Sequence, residues 1–319
     1  MEPDLLAEAL FRYGMQGAKT NLIRHNENMT YCVDNRYLLR IHKHAEGFQT
    51  GAVYDGMNRG EIYREELRFL DFLSSRGMEV QKPCPDGEGK LVTTLSDGTF
   101  ATMLTWLPGR NPEKDEVDYD LCFRIGEMVG KLHKHARMCQ KIPVLCYDAA
   151  LCRRLKQKLY DDLGSGAFDA KWVQCMADAF DFIAKQMDAF GQDVIITHAD
   201  LSLSNILITE NGLVPIDFSL FGYCHPMMDL AMLYCSINGL ENRRAIAAGY
   251  KKAGGAVCLK MLDACFALNI LLAILLHSAC WPGQEWFAAR FKRWCEEVFL
   301  PLTRGEALFS DDFYLIHAN

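Results

Sequence analysis

The chain has 319 residues, of which 50% are apolar and 24% charged, with a net charge of −7 and a pI of about 5.7. This is the composition of a globular protein with material for one large domain or two lobes. No run of Lys or Arg stands out, so a nucleic-acid or anionic-membrane surface is not expected, whereas a cationic partner would suit the charge.

The cysteines indicate a reducing environment. Thirteen of them are scattered singly and none forms a C-x-x-C pair, so zinc-finger spacing is absent. Their number is odd, and the N-terminal stretch MEPDLLAEALFRYG is acidic and amphipathic, unlike a secretion signal. We therefore expect reduced, mostly buried thiols in a cytoplasmic protein.

Three short strands are predicted near the N-terminus. Residues 19–25, 29–33 and 36–43 have strand character. A polar tip at 26–28 separates the first two, and the turn pair Asp34-Asn35 separates the second from the third. The pattern predicts an antiparallel meander.

A helix and a hairpin are predicted next. Apolar side chains recur with helical spacing over residues 58–76, and Gly77 is placed to end that helix. Residues 90–107 read as a hairpin that turns at Ser96-Asp97-Gly98. These elements complete a small β-rich lobe.

The character of the chain changes at Pro108-Gly109-Arg110, after which long helical patterns dominate. A strand-rich stretch at 193–218 interrupts them. The run ACFALNILLAILLHSAC at 264–280 is too short and too polar for a membrane span, and predicts a buried helix. Helices are predicted at 117–137, 150–163, 168–190, 226–252, 256–280 and 284–299.

The strand-rich stretch contains the candidate chemistry. IITHADLSLSNILI places His198, Asp200 and Asn205 in a loop between two apolar runs, and a hairpin turning at 210–212 follows, with its second strand predicted to end in Asp217. Because a hairpin brings its ends together, Asp217 is expected close to Asn205 and Asp200. Two carboxylates and an amide suit Mg²⁺, a hard cation that prefers oxygen ligands.

The alternative is that these residues only form turns and cap a helix, which is the better reading for any one of them. For the whole pattern, H-x-D-x-x-x-x-N followed by strand, turn, strand and D-F-S, that alternative is weak. The spacing has a known use in phosphoryl transfer, in which one Asp receives the hydroxyl proton and the Asn and second Asp hold the metal.

HADLSLSN (198–205), IDFS (216–219) and DLA (229–231) together resemble the aminoglycoside phosphotransferase and choline kinase superfamily of small-molecule kinases. The resemblance implies an α+β, bilobal, protein-kinase-like fold with a small antiparallel β-sheet N-lobe and a large, mainly helical C-lobe. It also implies ATP and Mg²⁺ as cofactors and a small-molecule hydroxyl as acceptor. The implied divisions are a nucleotide-binding lobe at 1–104, a hinge at 105–110 and a C-lobe with the substrate pocket at 111–319.

The resemblance also implies residue roles. Asp200 is the expected base for the acceptor hydroxyl, and Asn205 and Asp217 are the expected Mg²⁺ ligands. His198 is expected to brace the loop and Asp229 to hydrogen-bond it from the following helix. The expected apolar floor under the adenine is formed by Leu207 and Ile216.

The N-lobe should supply a cation for the phosphates. RYLLRIHK offers Arg40 where protein kinases carry a lysine; the alternatives are that Arg40 is a surface residue or that Lys43 takes the role. A buried cation needs a carboxylate. Glu66 lies on the same helix side as Leu70 and Leu73 and is the expected partner, whereas Glu65, about 100° away, is expected in solvent.

Three further nucleotide contacts are expected from the resemblance. No G-x-G-x-x-G loop is present, so the strand-loop-strand IRHNENMTYCV, with Asn28 near its tip, should cover the phosphates. In the hinge, Thr105 and Leu107 should offer backbone groups to the adenine edge. Trp106 suits either a stacking platform or a core position.

A small-molecule O-kinase is weighed against two alternatives. A protein Ser/Thr kinase is disfavoured because only eleven residues separate Asp217 from Asp229, no A-P-E follows, and no lysine stands two positions after Asp200. A catalytically inactive nucleotide-binding protein has no support, since the motif residues are all present. The oligomeric state is left open.

Known acceptors of such enzymes are aminoglycosides, macrolides, choline or ethanolamine, homoserine and sugars, and the sequence leaves the choice open. A metabolite kinase for an amino alcohol or a homoserine-like substrate is the alternative to an enzyme like the aminoglycoside phosphotransferases. The helices after 229 should build the acceptor pocket, and structural roles are an alternative for each candidate lining residue. These candidates are His277, Trp281, Glu285 and Trp286.

Overall fold

The computed structural model describes residues 4–25, 28–45, 51–162 and 169–309. Its N-terminal part is a six-stranded antiparallel sheet in the order β1-β2-β3-β6-β4, with β5 paired to β6. The strands are β1 (Thr20–His25), β2 (Met29–Val33), β3 (Tyr37–Ile41), β4 (Pro83–Cys84), β5 (Thr93–Thr94) and β6 (Phe100–Thr105). The helices of this part are α1 (Leu5–Arg12), α2 (Gly51–Tyr54) and α3 (Arg59–Ser75).

Local sequence explains how the meander forms. Asp34 and Asn35 both have positive φ, 53° and 52°, and form the centre of a β-turn closed by the Arg36 N–H on the Val33 carbonyl, a backbone that Asn and Asp tolerate. In β3 the alternation sends Leu39 and Ile41 to one face, where they pack under α1 in a small apolar cluster. Leu38 and Arg40 point to the opposite face, toward the cleft between the lobes.

Helix α3 begins and ends as predicted, but it is buried more widely. The Asn58 side chain accepts the Glu61 N–H at its start, and Gly77, at φ +82°, follows its end. Glu65 was expected in solvent and is only 7% exposed, with Arg68 Nη1 2.6 Å from its Oε1. That expectation was wrong because α3 packs against the helical lobe as well as the sheet.

The C-terminal part is mainly helical and carries two small sheets. Strands β7 (Leu145–Cys146), β11 (Gly222–Cys224) and β8 (Ile195–Thr197) form one sheet in that order, and β9 (Ile206–Thr209) pairs with β10 (Gly212–Pro215) in the predicted hairpin. The helices are α4 (Tyr119–Ala136), α5 (Ala149–Asp162), α6 (Ala170–Phe190), α7 (Met227–Ser236), α8 (Leu240–Lys252), α9 (Leu259–Leu276), α10 (Phe287–Trp294) and α11 (Leu300–Thr303).

Three element predictions needed correction. The predicted helix at 226–252 is two helices, because Gly239 has a φ of +94° that a helix does not allow, and this glycine divides α7 from α8. The helix predicted from 284 begins at Phe287 and continues through a π-helical turn, Cys295–Phe299, into α11. Asp217 lies beyond the last residue of β10, Pro215, and not in the strand.

Glycines let α4 and α8 touch backbone to backbone. A Cβ added to Gly249 would lie 1.9 Å from the Phe123 carbonyl oxygen, and one added to Gly126 would lie 2.1 Å from the Ile246 carbonyl oxygen. No larger residue fits either position without moving a helix. This crossing fixes α4 beside the loop that follows β8.

Helix α9 forms the centre of the C-lobe. By length and composition it could cross a membrane, but 83% of it is buried inside the protein, as predicted for the apolar run. Its buried apolar residues belong to the main apolar cluster, which also includes residues of α4, α6 and α7. The end of α9 faces the interlobe cleft.

Candidate active site

A cleft of about 750 Å³ lies between the two lobes. Two predicted site residues do not line it: Glu66 lies behind Arg40, and Thr105 lies at the end of β6. The other predicted residues do, so the structure brings most of the candidate set to one place. These residues are Asn28, Arg40, Leu107, Asp200, Asn205, Leu207, Ile216 and Asp217.

Asp229 holds the loop that follows β8. Its buried carboxylate accepts the backbone N–H of His198 at 3.0 Å and of Ala199 at 2.8 Å. Ala199 has a φ of +62°, which is strained for a residue with a Cβ, and these two bonds hold it there. Burial alone would raise the pKa of Asp229, but its contact with His133, 2.9 Å away, lowers it, so the carboxylate stays ionised.

His198 braces the loop from inside, as expected. Its Nε2–H donates to the Ile216 carbonyl at 2.9 Å, and its Nδ1 accepts the Asp200 N–H at 3.3 Å. These two bonds assign the neutral Nε2–H form of the ring. Burial also lowers the pKa of His198, so the ring is neutral at pH 7 and links the loop that follows β8 to the residue before Asp217.

Asn205 joins the two candidate carboxylates. Its Nδ2 donates to Asp200 twice, to the backbone oxygen at 2.8 Å and to Oδ2 at 2.9 Å. Its own backbone oxygen accepts the Ile216 N–H at 2.9 Å, which places it beside Asp217. With both amide hydrogens directed at Asp200, the Asn205 side-chain oxygen is the atom that remains to bind a cation.

Two arginine side chains lie close to the Asp217 carboxylate. Its φ is +65°, a second strained non-glycine conformation. Arg24 contacts its Oδ2, and Arg40 Nη1 lies 4.0 Å from its Oδ1. Burial would raise the pKa of Asp217, but the charges of Arg24 and Arg40 lower it, so this carboxylate is ionised.

The expected ion pair between Arg40 and Glu66 is present. Arg40 Nη1 donates to Glu66 Oε1 at 2.8 Å, and the two side chains are 4% and 2% exposed. Arg40 Nε and Nη2 are buried and have no hydrogen-bond partner among the described residues. A buried guanidinium whose Nε and Nη2 have no partner is suited to bind a phosphate, because two phosphate oxygens can accept two parallel N–H bonds from one arginine.

Asn28 and His42 fix the strand face beside Arg40. The Asn28 Oδ1 lies 2.8 Å from His42 Nδ1, and the His42 ring stacks on Tyr63 with centroids 3.6 Å apart. Burial and the charge of Arg40 lower the pKa of His42, so it adds no second cation. Lys43, the alternative phosphate ligand, is exposed and does not line the cleft.

The hinge connects the lobes through few bonds. The Thr105 N–H donates to the Lys82 carbonyl at 2.8 Å, and its carbonyl accepts Gln81 Nε2 at 3.2 Å. Leu107 lines the cleft, and its backbone N–H makes no hydrogen bond to any described residue. Of the two hinge residues, Leu107 therefore keeps the donor that an adenine edge would need.

On either side of Leu107 the chain is tied down. The Trp106 N–H donates to the Arg36 carbonyl at 2.8 Å in the N-lobe. Arg110 exchanges two backbone hydrogen bonds with Ile208, at 3.2 and 2.8 Å, in the C-lobe hairpin. A Cβ on Gly109 would lie 2.8 Å from the Ile208 oxygen, so this contact requires glycine.

Arg24 and His133 are among the polar residues that the sequence analysis missed. Arg24 contacts a carboxylate 193 residues away in sequence, and His133 contacts Asp229 96 residues away. The position of Arg24, just before the polar tip at 26–28, was the only available signal. Of the candidate acceptor residues, His277 and Trp281 line the cleft, whereas Glu285 and Trp286 do not.

The sequence of the chain is similar to those of known phosphotransferases. The model of the phosphotransferase enzyme family matches residues 22–264. Amicoumacin kinase of Bacillus subtilis (strain 168) is 23% identical over 247 residues, which are 74% of this chain and 68% of that protein.

Solved structures match the fold over nearly the whole chain. The amicoumacin kinase hAmiN in complex with AMP-PNP, Ca²⁺ and Ami has a TM-score of 0.69 at 17% identity, covering 96% of this chain and 94% of that one. A microcompartment-associated aminopropanol kinase has a TM-score of 0.73 at 20% identity, covering 98% and 99%. These matches confirm the predicted α+β, kinase-like fold.

Proposed function

Because the chain belongs to the phosphotransferase enzyme family, we propose that it transfers the γ-phosphate of ATP to a hydroxyl group of a small molecule. The family membership confirms the resemblance inferred from the 198–205, 216–219 and 229–231 motifs. Relatives named for small-molecule phosphorylation, among them amicoumacin kinase and aminopropanol kinase, support a small-molecule kinase.

The observation that carries the proposal is the pairing of opposite charges across one cleft. Arg40, from the N-lobe sheet, brings two buried nitrogens, Nε and Nη2, that have no hydrogen-bond partner in the part of the chain that the structure describes. Asp200, Asn205 and Asp217, from the C-lobe, bring acidic and amide oxygens. A cation-loaded triphosphate is the kind of molecule that complements both sides at once.

The donor set fits a hard divalent cation. Asn205 and Asp217 would hold Mg²⁺ through oxygen atoms, and Arg24 would leave Asp217 Oδ2 to make room. When bound, Mg²⁺ supplies charge neutralisation on the phosphate oxygens. The solved relatives whose complexes contain AMP-PNP with Ca²⁺, or GDP, support a nucleotide site of this type.

Asp200 would orient the acceptor hydroxyl and receive its proton. One carboxylate oxygen, Oδ2, is held by Asn205. Its Oδ1 is the atom proposed to take the proton, since a general base must come within hydrogen-bond reach of the group it deprotonates. Leu207 and Ile216, which line the cleft, would lie under the adenine.

The alternative of a protein kinase is not supported. Residues 222–224, within the eleven-residue stretch between Asp217 and Asp229, form β11, which pairs with β7 and β8. The stretch is thus part of a sheet and contains no long segment that could hold a peptide.

The test is phosphate transfer from ATP to a panel of aminoglycosides, macrolides, amino alcohols and sugars. The expected result is an acceptor-dependent release of ADP that requires Mg²⁺, with a phosphorylated acceptor detected by mass spectrometry. Absence of Mg²⁺-dependent nucleotide binding would overturn the proposal, as would transfer to protein serines in place of small molecules. The assay is run in a reducing buffer because all thirteen cysteines are free thiols. Free thiols persist in a reducing compartment, and we propose that the protein is cytoplasmic.

A further inference from the structure

We propose that the acceptor is an alcohol with a largely apolar body and at most one positive charge, not a polycationic aminoglycoside or a small hydrophilic amino alcohol. This inference rests on the proposed function, since it assigns the acceptor end of the same cleft. It differs from the expectation, based on the net charge of −7, that a cationic partner would suit the protein. Net charge acts over the whole surface, whereas acceptor choice depends on the groups in the cleft.

The acceptor end is mostly apolar. It is built by the end of α9 and the turn that follows it, by α7 and by the segment before α7. Its apolar side chains would have to be covered by a bound molecule of similar character. They are Leu220, Met232, Leu272, Ala273, Leu276 and Trp281.

Carboxylates are missing where an aminoglycoside would need them. Among the cleft-lining residues that the structure describes, only Asp200 and Asp217 are acidic. Asp217 contacts Arg24, and Asp200 is held by Asn205, so neither is spare. Several ammonium groups brought into such a cleft would lose water without gaining partners, which is unfavourable.

The same lining disfavours a small amino alcohol. A hydrophilic acceptor of two or three carbons is too small to cover the apolar wall, and most of the wall would stay in contact with water. An ordinary ligand site covers most of its ligand with apolar side chains and adds few polar contacts. The acceptor end has that composition.

One polar atom is placed to orient the acceptor. Asn269, on α9, is 6% exposed and lines the cleft. Its Nδ2 donates to the Met228 carbonyl at 3.2 Å, which fixes the amide, and its oxygen accepts no hydrogen bond from the described part of the chain. This oxygen, on a side chain that lines the cleft, is suited to accept a hydrogen bond from a hydroxyl or amide N–H of the bound molecule.

Trp281 supplies a flat aromatic surface at the far end. Its ring stacks on His277 with centroids 4.3 Å apart and planes 10° from parallel, so its orientation is fixed. Burial lowers the pKa of His277, and the pair therefore presents a neutral surface. A planar ring in the acceptor would gain contact area there at little cost in conformational freedom.

The experiment is equilibrium binding of unphosphorylated acceptors to the full chain saturated with Mg²⁺ and AMP-PNP. The apolar probes are erythromycin and naphthyl β-glucoside, and the charged probes are kanamycin, ethanolamine and choline. We expect the apolar probes to bind more tightly, with little change between low and high salt because burial is not screened. Tighter binding of kanamycin, ethanolamine or choline, or no binding by any apolar probe, would overturn the inference.

Nucleotide binding, measured without an acceptor, separates this inference from the proposed function. Mg²⁺-dependent AMP-PNP binding together with failure of the apolar probes would sink the acceptor assignment alone. Loss of Mg²⁺-dependent nucleotide binding would sink the proposed function itself.

Two variants give the residue-level test. Trp281→Ala should weaken binding of the apolar probes about tenfold or more, and Trp281→Phe should restore most of it. Phe11→Ala, which removes an exposed aromatic side chain on α1 outside the cleft, is the control and should change binding little. Nucleotide affinity should be the same in all three; equal weakening by Trp281→Ala and Phe11→Ala would contradict the assignment.

Discussion

At the residue scale, the Asn205 amide holds Asp200 through Oδ2. Asp200→Ala should lower kcat by about 10²–10⁴-fold while leaving nucleotide affinity nearly unchanged, because the nucleotide contacts are proposed to lie on Arg40 and Asp217 and not on Asp200. Steady-state kinetics with AMP-PNP binding as a second readout checks this. Ser204→Ala, an exposed hydroxyl in the same loop, is the control. A variant that keeps more than about a tenth of wild-type kcat would remove Asp200 from the role of base.

Arg40 and Glu66 should act as one unit, since Glu66 orients a guanidinium that would contact the phosphates and touches no substrate itself. Glu66→Gln should lower kcat/KM, and adding Arg40→Gln should cost little more. A double-mutant cycle on kcat/KM measures the coupling. Thermal unfolding of each variant must accompany it, because breaking a buried ion pair costs about 3–5 kcal/mol. If the losses in kcat/KM of the two single variants simply add in the double variant, another cation must bind the phosphates.

Sequence reasoning found the residues whose spacing is chemically specific. Asp200, Asn205 and Asp217 lie within 18 consecutive residues, so a local pattern could join them. Arg24 and His133 reach partners 193 and 96 residues away, and no local spacing records such contacts. The pairing of Arg40 with Glu66 was reachable only because a buried cation demands a carboxylate.

At the element scale, the close α4–α8 crossing depends on glycines, which have no side chain to separate the two helices. Gly249→Ala should destabilise the protein by several kcal/mol, because its Cβ would lie 1.9 Å from the Phe123 oxygen and the helices must separate. Urea unfolding gives the free energy. Gly283→Ala, at a glycine with nothing within 4 Å of the added Cβ, is the control. Equal effects of the two substitutions would show that the crossing tolerates a methyl group.

Helix α9 holds the described end of the chain through a buried carboxyl group. Asp263 accepts the backbone N–H of Phe309 at 3.1 Å and of Leu308 at 3.3 Å, and burial raises its pKa to about 7. Between its unfolded pKa of about 3.9 and about 7 the folded state binds more protons than the unfolded one. The contribution of Asp263 to stability therefore falls as the pH rises across that window.

Asp263→Asn removes this dependence. Relative to wild type, the free energy of unfolding of the variant should rise by a few kcal/mol between about pH 4 and about pH 7.5. Urea unfolding at a series of pH values measures it. Asp188→Asn on the surface of α6 removes an exposed carboxylate and serves as control. A flat difference for Asp263→Asn would mean that its carboxyl is already ionised in the folded protein at low pH.

Element prediction succeeded where turn chemistry was explicit. The pair Asp34-Asn35 correctly predicted the turn between β2 and β3, and Gly77 correctly predicted the end of α3. It failed at Gly239, where apolar spacing continues on both sides and a glycine inside a helical pattern is ambiguous. Glu65 failed for a different reason: a helix packed on two sides has no single solvent face.

At the scale of the whole molecule, both lobes contribute to one cleft, so nucleotide should stabilise the entire fold. Binding at 100 times Kd adds about 2.7 kcal/mol, which is a rise in Tm of several degrees. Asp217→Asn should need more Mg²⁺ for the same rise, because the site loses a charged ligand. Differential scanning fluorimetry with AMP-PNP across a Mg²⁺ series checks this, with Asp188→Asn as control. An unchanged Mg²⁺ dependence would place the metal elsewhere.

The bonds around the hinge determine where the two lobes can turn. Trp106 is bonded to the N-lobe and Arg110 to the C-lobe hairpin, and Gly109 is pressed against Ile208. Only Leu107 and Pro108 remain between these anchors, and proline has a fixed φ. At the hinge itself, an opening of the cleft would therefore turn about the few backbone bonds of these two residues. The turning point adjoins the backbone N–H of Leu107, so a base bound there would move little relative to the hinge.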